Sequence, residues 1–216
     1  MIYNSEDTRR KAEKQLAVFG RIPPGVVSKL GTIRPGPDPR SLPPDLPPDR
    51  PYFITVGTIE PRKNHAFLLD MWERMGPDAP PLLICGSRGW ENADVFARLN
   101  ALRGKSAVRE LPGLADTAVA ALVQKAAGAL YPTHAEGFGL ALVEARALGA
   151  RVLCNDLAVF QEILGDQVTF VSVKKPGDWL NKVREWEKDQ SVQQKDNAFE
   201  GFRWSDNFKT VLRLKW

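Results

Sequence analysis

From Tyr52 onward, short apolar runs alternate with segments of helical spacing. YFITVG, PLLICG, AVREL, GALYP, ARVLC and VTFVS are separated by stretches whose apolar residues recur every third or fourth position. Strands that are apolar throughout, rather than at alternate positions, bury both faces, and the intervening helices supply the cover. The pattern predicts an α/β fold, a Rossmann-like doubly wound parallel sheet, with helices over 64–75, 91–103, 116–127, 139–148 and 158–164. The tail, 176–216, reads as further helices, with Trp179, Trp186, Trp204, Phe208, Leu212 and Trp216 as packing candidates.

Ahead of this rhythm, residues 5–19 have helical spacing with Ala12, Leu16 and Phe19 on one face, and VVSKLGTI (26–33) has the composition of a strand. The segment from Arg34 through Pro51 holds eight prolines. Proline lacks the N–H that helix and sheet interiors use, so this segment is expected to be an extended arm. The expected division is 1–51, a helix, a strand and the proline-rich arm left from an interdomain region, and 52–216, the compact domain with its C-terminal helices.

Several function classes are disfavoured by composition. Cys85 and Cys154 each end an apolar run, which suggests buried thiols in a reducing compartment, hence a cytoplasmic protein. The charged N-terminus lacks the apolar core of a signal peptide, and no stretch approaches the roughly 18 apolar residues of a spanning helix. Thirty Lys+Arg against 26 Asp+Glu is a mild basic excess that would suit an anionic ligand or an anionic membrane face. Without a zinc-finger, RNP-like or helix-turn-helix signature, nucleic acid is not an expected partner. GxGxxG after a strand, the P-loop and the Gly-x-Ser-x-Gly elbow are all absent from the sequence. Two histidines, His65 and His134, cannot make a multi-histidine metal site, and there is no Asp-x-Asp, so no metal is expected.

In open sheets of this class, ligands bind outside the carboxyl ends of the strands. The first run ends in Gly57 and Thr58, and the loop TIEPRKNH brings Arg62 and Lys63 to the start of a helix. Cations there oppose the helix macrodipole at a cost of a few tenths of a kcal/mol, so an anion such as a phosphate or pyrophosphate would suit them. A basic surface turn begun by Pro61 would look the same. Asp116 is expected to cap the helix that follows LPGLAD. The fourth run delivers THAEGFG (133–139), glycine-bearing and leading into a helix whose free N–H groups could meet an anion. His134 fits there either as a supporting donor or as an ordinary loop residue. Glu136 beside such a site makes sense as an acceptor for a neutral polyol. Glu144 shares a helix face with Leu140, Ala141 and Leu148, so it turns inward and needs donors. A ribose diol would supply two; a salt bridge to Arg146, Arg151 or a neighbouring helix is the alternative.

VGTIEPRKNHAFLLDMW (56–72), LLICGSRGWEN (82–92), LPGLAD (111–116) and YPTHAEGFGLALVEARALGARVLCND (131–156), in this order, resemble the C-terminal, donor-binding half of a GT-B glycosyltransferase of retaining family 4. The two glutamates separated by seven residues, with Gly-Phe-Gly between, are the specific part of the resemblance. It implies a nucleotide-sugar donor, a sugar linked to a nucleoside diphosphate, lying across the strand ends. Arg62 and Lys63 would hold its diphosphate, and Glu144 its ribose hydroxyls. Glu136 with the backbone of Gly137, Phe138 and Gly139 would hold its sugar and phosphate, with Gly57, Thr58 and Leu140 lining the site. Glu136, Arg62 and Lys63 would be the residues closest to the chemistry, with no metal and no cofactor besides the donor.

Thr58 stands where many members carry arginine, so Arg62 is expected to take over that charge. Ala141 and Arg151 stand where prolines are common, which is expected to alter the helix start and the following strand. The resemblance also implies that a glycan or lipid-linked acceptor binds through an N-terminal domain missing from these 216 residues, and that the full enzyme sits in the cytoplasm or peripherally on the inner membrane face. The EPRKN loop together with GWE resembles bacterial mannosyltransferases, making GDP-mannose the expected donor. A non-catalytic nucleotide-binding or partner-docking module, and a sugar-nucleotide epimerase fragment, are the competing readings.

Overall fold

The chain opens with strand β1 (Ile2–Tyr3), helix α1 (Glu6–Leu16) and strand β2 (Val26–Val27) in the computed structural model, which describes residues 1–189 and 199–213. Ser5 starts α1 by accepting the Thr8 N–H, and Glu6 and Asp7 complement the positive end of the helix. The apolar face expected at Ala12, Leu16 and Phe19 does not form: the helix ends at Leu16, a 3₁₀ turn follows, and Phe19 is exposed. The strand expected over 26–33 shrinks to two residues. Beyond Val27 the backbone is claimed by the C-terminal segment: Asn207 Nδ2 donates to the carbonyls of Ser28 and Lys29 (3.2 and 2.9 Å), and Thr32 N–H donates to the Phe202 carbonyl (2.7 Å). Side-chain and loop bonds replace a sheet ladder there.

The six apolar runs form β3 (Phe53–Val56), β4 (Leu82–Cys85), β5 (Val108–Leu111), β6 (Gly128–Tyr131), β7 (Val152–Cys154) and β8 (Thr169–Phe170). They make one all-parallel sheet in the order β5-β4-β3-β6-β7-β8, the doubly wound arrangement expected. Helices α2 (His65–Met75), α3 (Ala93–Leu102) and α7 (Pro176–Lys188) cover one face, around Phe53, Leu68, Leu69, Trp72, Trp179 and Trp186. Helices α4 (Asp116–Lys125), α5 (Leu140–Ala147) and α6 (Ala158–Leu164) cover the other, around Ile54, Leu83, Leu142, Val143 and Phe160. Each fully buried large apolar side chain contributes about 1.5–3 kcal/mol, so two-sided cover is what makes the continuous apolar strands stable.

Helices α2, α3 and α5 start one or two residues later than expected, whereas α4 and α6 start at 116 and 158 as expected. Asp116 is the first residue of α4 rather than its cap; Ala115 holds the capping position and gives no side-chain bond. Of the tail aromatics, Trp179 and Trp186 are core residues, as expected, but Trp204, Phe208 and Leu212 on α8 (Trp204–Leu212) are exposed. Trp204 stacks with Phe208 and lies on the backbone of Gly31, covering little of the sheet. Trp216 lies outside the described residues. Cys85 and Cys154 are buried free thiols; burial pushes the Cys85 thiol up to about 12 and raises Cys154 as well, which keeps both inert.

The proline-rich arm is not strung out in solvent. It runs beside α4, where Asp38 N–H donates to the Thr117 carbonyl (3.1 Å), buries Leu46 in the core, and pairs Asp45 with Arg109 on β5. Tyr52, at the end of the arm, donates its hydroxyl to the Leu122 carbonyl (2.7 Å).

Candidate functional site

Strand order reverses between β3 and β6, and a crevice outside their carboxyl ends follows from that reversal. The two loops that line it are residues 57–64 after β3 and 132–139 after β6. They are stitched together by one backbone bond and one side-chain bond: His134 N–H donates to the Arg62 carbonyl (2.8 Å) and Asn64 Nδ2 donates to the Pro132 carbonyl (3.1 Å). Asn64 is left-handed (φ 58°), a conformation asparagine tolerates, and it turns a short 3₁₀ segment, Pro61–Lys63, into α2.

The charges expected at an anion site converge here. Arg62 Nη1 stands 2.8 Å from Glu136 Oε1, and Lys63 Nζ pairs with the same oxygen. Lys63 and Glu136 are largely buried, while Arg62 remains 42% exposed. The anion that Arg62 and Lys63 call for is therefore found within the chain, 73 residues away in the case of Lys63. Gly57 lies alongside the Lys63 stem, and Thr58 is exposed at the mouth. His134 is also exposed, and its backbone rather than its ring makes the contact.

Gly139 is left-handed (φ 88°), and a Cβ on it would stand 2.6 Å from Phe160 Cε1, so both backbone and packing require glycine. It caps α5 and accepts the N–H groups of Leu142 and Val143. Leu140 and Ala141 are the first residues of that helix, where N–H groups have no intrahelical partner. Leu140 is 36% exposed at this end, whereas Phe138 points away into the core, edge-on to Phe202 at 5.7 Å. Gly137 has a use the sequence did not suggest: Ser5 Oγ and Thr8 Oγ1 each stand 2.9 Å from its carbonyl oxygen, and a Cβ on it would crowd Asn4 Nδ2 at 3.3 Å. The start of α1 thus rests on the site loop. Glu162 of α6 fixes that start by accepting the N–H groups of Glu6 and Asp7 (2.8 and 2.9 Å).

Glu144 sits one helical turn deeper on α5 and is half-buried. Among the described residues it forms no ion pair: Arg146 donates Nε to the Gln167 carbonyl (2.9 Å), and Arg151 pairs with Asp189 (2.7 Å). Burial raises its pKa above the usual carboxylate value, with the nearby Asp116 carboxylate adding to the effect and a hydrogen bond from Ile33 N–H opposing it. Local sequence gave no sign that Ile33, just before the arm, would lie near this acid.

The residues missed by sequence reasoning are Glu60, Trp90, Asn64, Ser5, Thr8 and Glu162. Each acts across a long sequence separation, and only the EPRKN and GWE motifs, standing after neighbouring strands, carried a signal for Glu60 and Trp90. Among the described residues, no group of three or more His, Cys, Asp or Glu side chains could hold a metal ion, and no helix is long and apolar enough to cross a membrane.

A six-stranded parallel sheet of this order, covered by helices on both faces, is a Rossmann-like layer that matches solved GT-B glycosyltransferases. The chain belongs to the family of group 1 glycosyl transferases, whose model matches residues 42–200. It is 32% identical over 142 residues to the serotype-specific mannosyltransferase WbdA of Escherichia coli, covering 63% of this chain and 17% of that protein. Against the O-antigen chain mannosyltransferase B of Escherichia coli the identity is 31% over 118 residues, 53% of this chain and 31% of that one. Among solved structures, Anabaena HepE in complex with UDP and glucose superposes with a TM-score of 0.77 at 16% identity, over 98% of this chain and 61% of that chain. The chain thus spans under two thirds of each of these relatives.

Proposed function

We propose that this domain binds the nucleotide-sugar donor of a retaining, family 4 hexosyltransferase, with GDP-mannose as donor, in glycan or polysaccharide assembly. The observation that carries the proposal is the convergence of Arg62, Lys63 and Glu136 at the strand-order reversal. The mannosyltransferase relatives support the choice of sugar.

In this reading the diphosphate displaces Glu136 from Arg62 and Lys63, and the freed carboxylate accepts hydrogen bonds from the sugar hydroxyls. As the bond between the anomeric carbon and the diphosphate breaks, the charge building on the leaving group is stabilised by both cations and by the first N–H groups of α5. In this reading the chain's own cations supply the positive charge that offsets it. Glu144 takes the ribose diol, whose two donors join the one from Ile33. A glycan or lipid-linked acceptor would enter from the opposite side of the cleft, in the cytoplasm or at the inner membrane face. Donor binding without efficient transfer is the behaviour expected of these 216 residues alone.

Titration calorimetry with GDP, UDP and ADP tests the assignment. Glu144→Ala is expected to weaken the tightest of them about tenfold or more, since it removes a charged acceptor worth roughly 1.5–3 kcal/mol. Diol donors favour the carboxylate form of Glu144, so nucleotide affinity should rise with pH through its raised pKa, and this dependence should vanish in the variant. Equal affinity in wild type and Glu144→Ala would refute the ribose assignment.

A further inference from the structure

Glu60, on the loop after β3, is buried at 7% exposure and has two partners, Arg62 of the donor reading and Trp90, which that reading does not use. Trp90 Nε1 donates to its Oε2 (3.0 Å), and Arg62 Nε stands 2.6 Å from its Oε1. Arg62 Nη1 reaches Glu136 from the same guanidinium. Glu60 is therefore charge-paired on the Nε side of Arg62, without an aligned hydrogen bond to its Oε1, and the Nη atoms remain on the crevice side.

The loop after β4 is built to deliver Trp90. Ile59 and Arg88 bridge in parallel beyond the ends of β3 and β4, and Gly89 N–H donates to the Ile59 carbonyl (3.1 Å). A Cβ on Gly89 would lie 2.7 Å from Thr58 Cγ2, so glycine lets the two loops press together. Trp90 keeps 58% of its surface exposed, which excludes core packing as the reason for its placement. What it contributes is the N–H that helps offset the cost of burying the Glu60 carboxylate.

The geometry points to Glu60, braced by Trp90, as the positioning residue that sets Arg62 for the diphosphate, in a site where residue 58 is an uncharged threonine. This rests on the donor-site reading of Arg62 given above. When a ligand takes Glu136 away from Arg62, the Glu60 carboxylate still attracts the guanidinium from its Nε side.

The test is calorimetry on the whole chain with GDP and UDP, each set against its monophosphate, in wild type, Arg62→Ala, Glu60→Gln, Glu60→Asp and Trp90→Phe. Glu60→Gln should lose about fivefold in affinity for the diphosphates and little for the monophosphates, because only the distal phosphate depends on a placed Arg62. Glu60→Asp, which keeps the charge, should recover part of that loss, and Trp90→Phe should show a smaller loss of the same selectivity. Equal weakening of diphosphate and monophosphate in Glu60→Gln, or no weakening of either, would overturn the positioning role while an effect of Arg62→Ala leaves the donor site standing. If Arg62→Ala itself binds diphosphates like wild type, the donor-site reading falls and the role of Glu60 falls with it.

Discussion

His65 shows how a single position beside the crevice couples to the stability of the domain. It is 2% exposed, its Nδ1 has no hydrogen-bond partner among the described residues, and burial together with the neighbouring Lys63 charge lowers its pKa to about 4. In the unfolded chain the imidazole titrates near its ordinary 6.5. Between those values the unfolded state binds the proton and the native state does not, so stability falls as pH drops through that window. From pH 7 to pH 5 wild type should lose roughly 2 kcal/mol through this group. Urea denaturation at both pH values checks it: His65→Leu should lose correspondingly less, and an equal loss would remove His65 as the cause. Glu144 has the opposite sign. Its raised pKa means that ionisation opposes folding, so the acid assigned to the ribose is held at a cost in stability that ligand donors would relieve.

At the scale of elements, the contact between α1 and the loop before α5 carries the clearest consequence. Two hydroxyls from one turn of α1 saturate the Gly137 carbonyl, and Glu162 of α6 holds the same turn from the other side. Replacing both donors, in Ser5→Ala/Thr8→Val, should cost about 2 kcal/mol or more, because the Gly137 carbonyl is left short of partners and α1 loses the Ser5 cap on Thr8 N–H. Amide hydrogen exchange should speed up at residues 136–140 relative to β4, whose ladder is untouched; unchanged exchange there would mean the tether does not steady the site loop. The periods of α2 to α7 could be read from sequence because a helix buries a stripe set by its own contiguous residues. The extent of β2 could not, since Ser28 to Thr32 are satisfied by Phe202 and Asn207 some 170 residues on.

For the whole molecule, the arm and the Rossmann-like layer share interactions that an extended linker would lack. Leu46 is buried, and Arg109 pairs with Asp45. Removing residues 1–51 would open the core at Leu46 and leave the Gly137 carbonyl and the Glu162 carboxylate without their donors. The shortened chain is expected to be less stable by at least about 3 kcal/mol, summing one buried leucine and two sets of lost hydrogen bonds. Chemical denaturation of both chains measures this, and equal midpoints would show that the arm contributes no stability.

Taken alone, the sequence determined the kinds of element, their order and the parallel sheet they had to form, because apolar period and strand-helix alternation are properties of neighbouring residues. It also brought the basic loop after β3 and the acidic loop after β6 to the carboxyl edge, where strand direction places them. Which charges would meet was decided by tertiary structure. Lys63 and Glu136 pair only because β3 and β6 lie side by side, and Glu60 finds Trp90 only because β4 lies on the other flank of β3. A one-dimensional pattern is compatible with many strand orders, and every such contact depends on the one that closes the core.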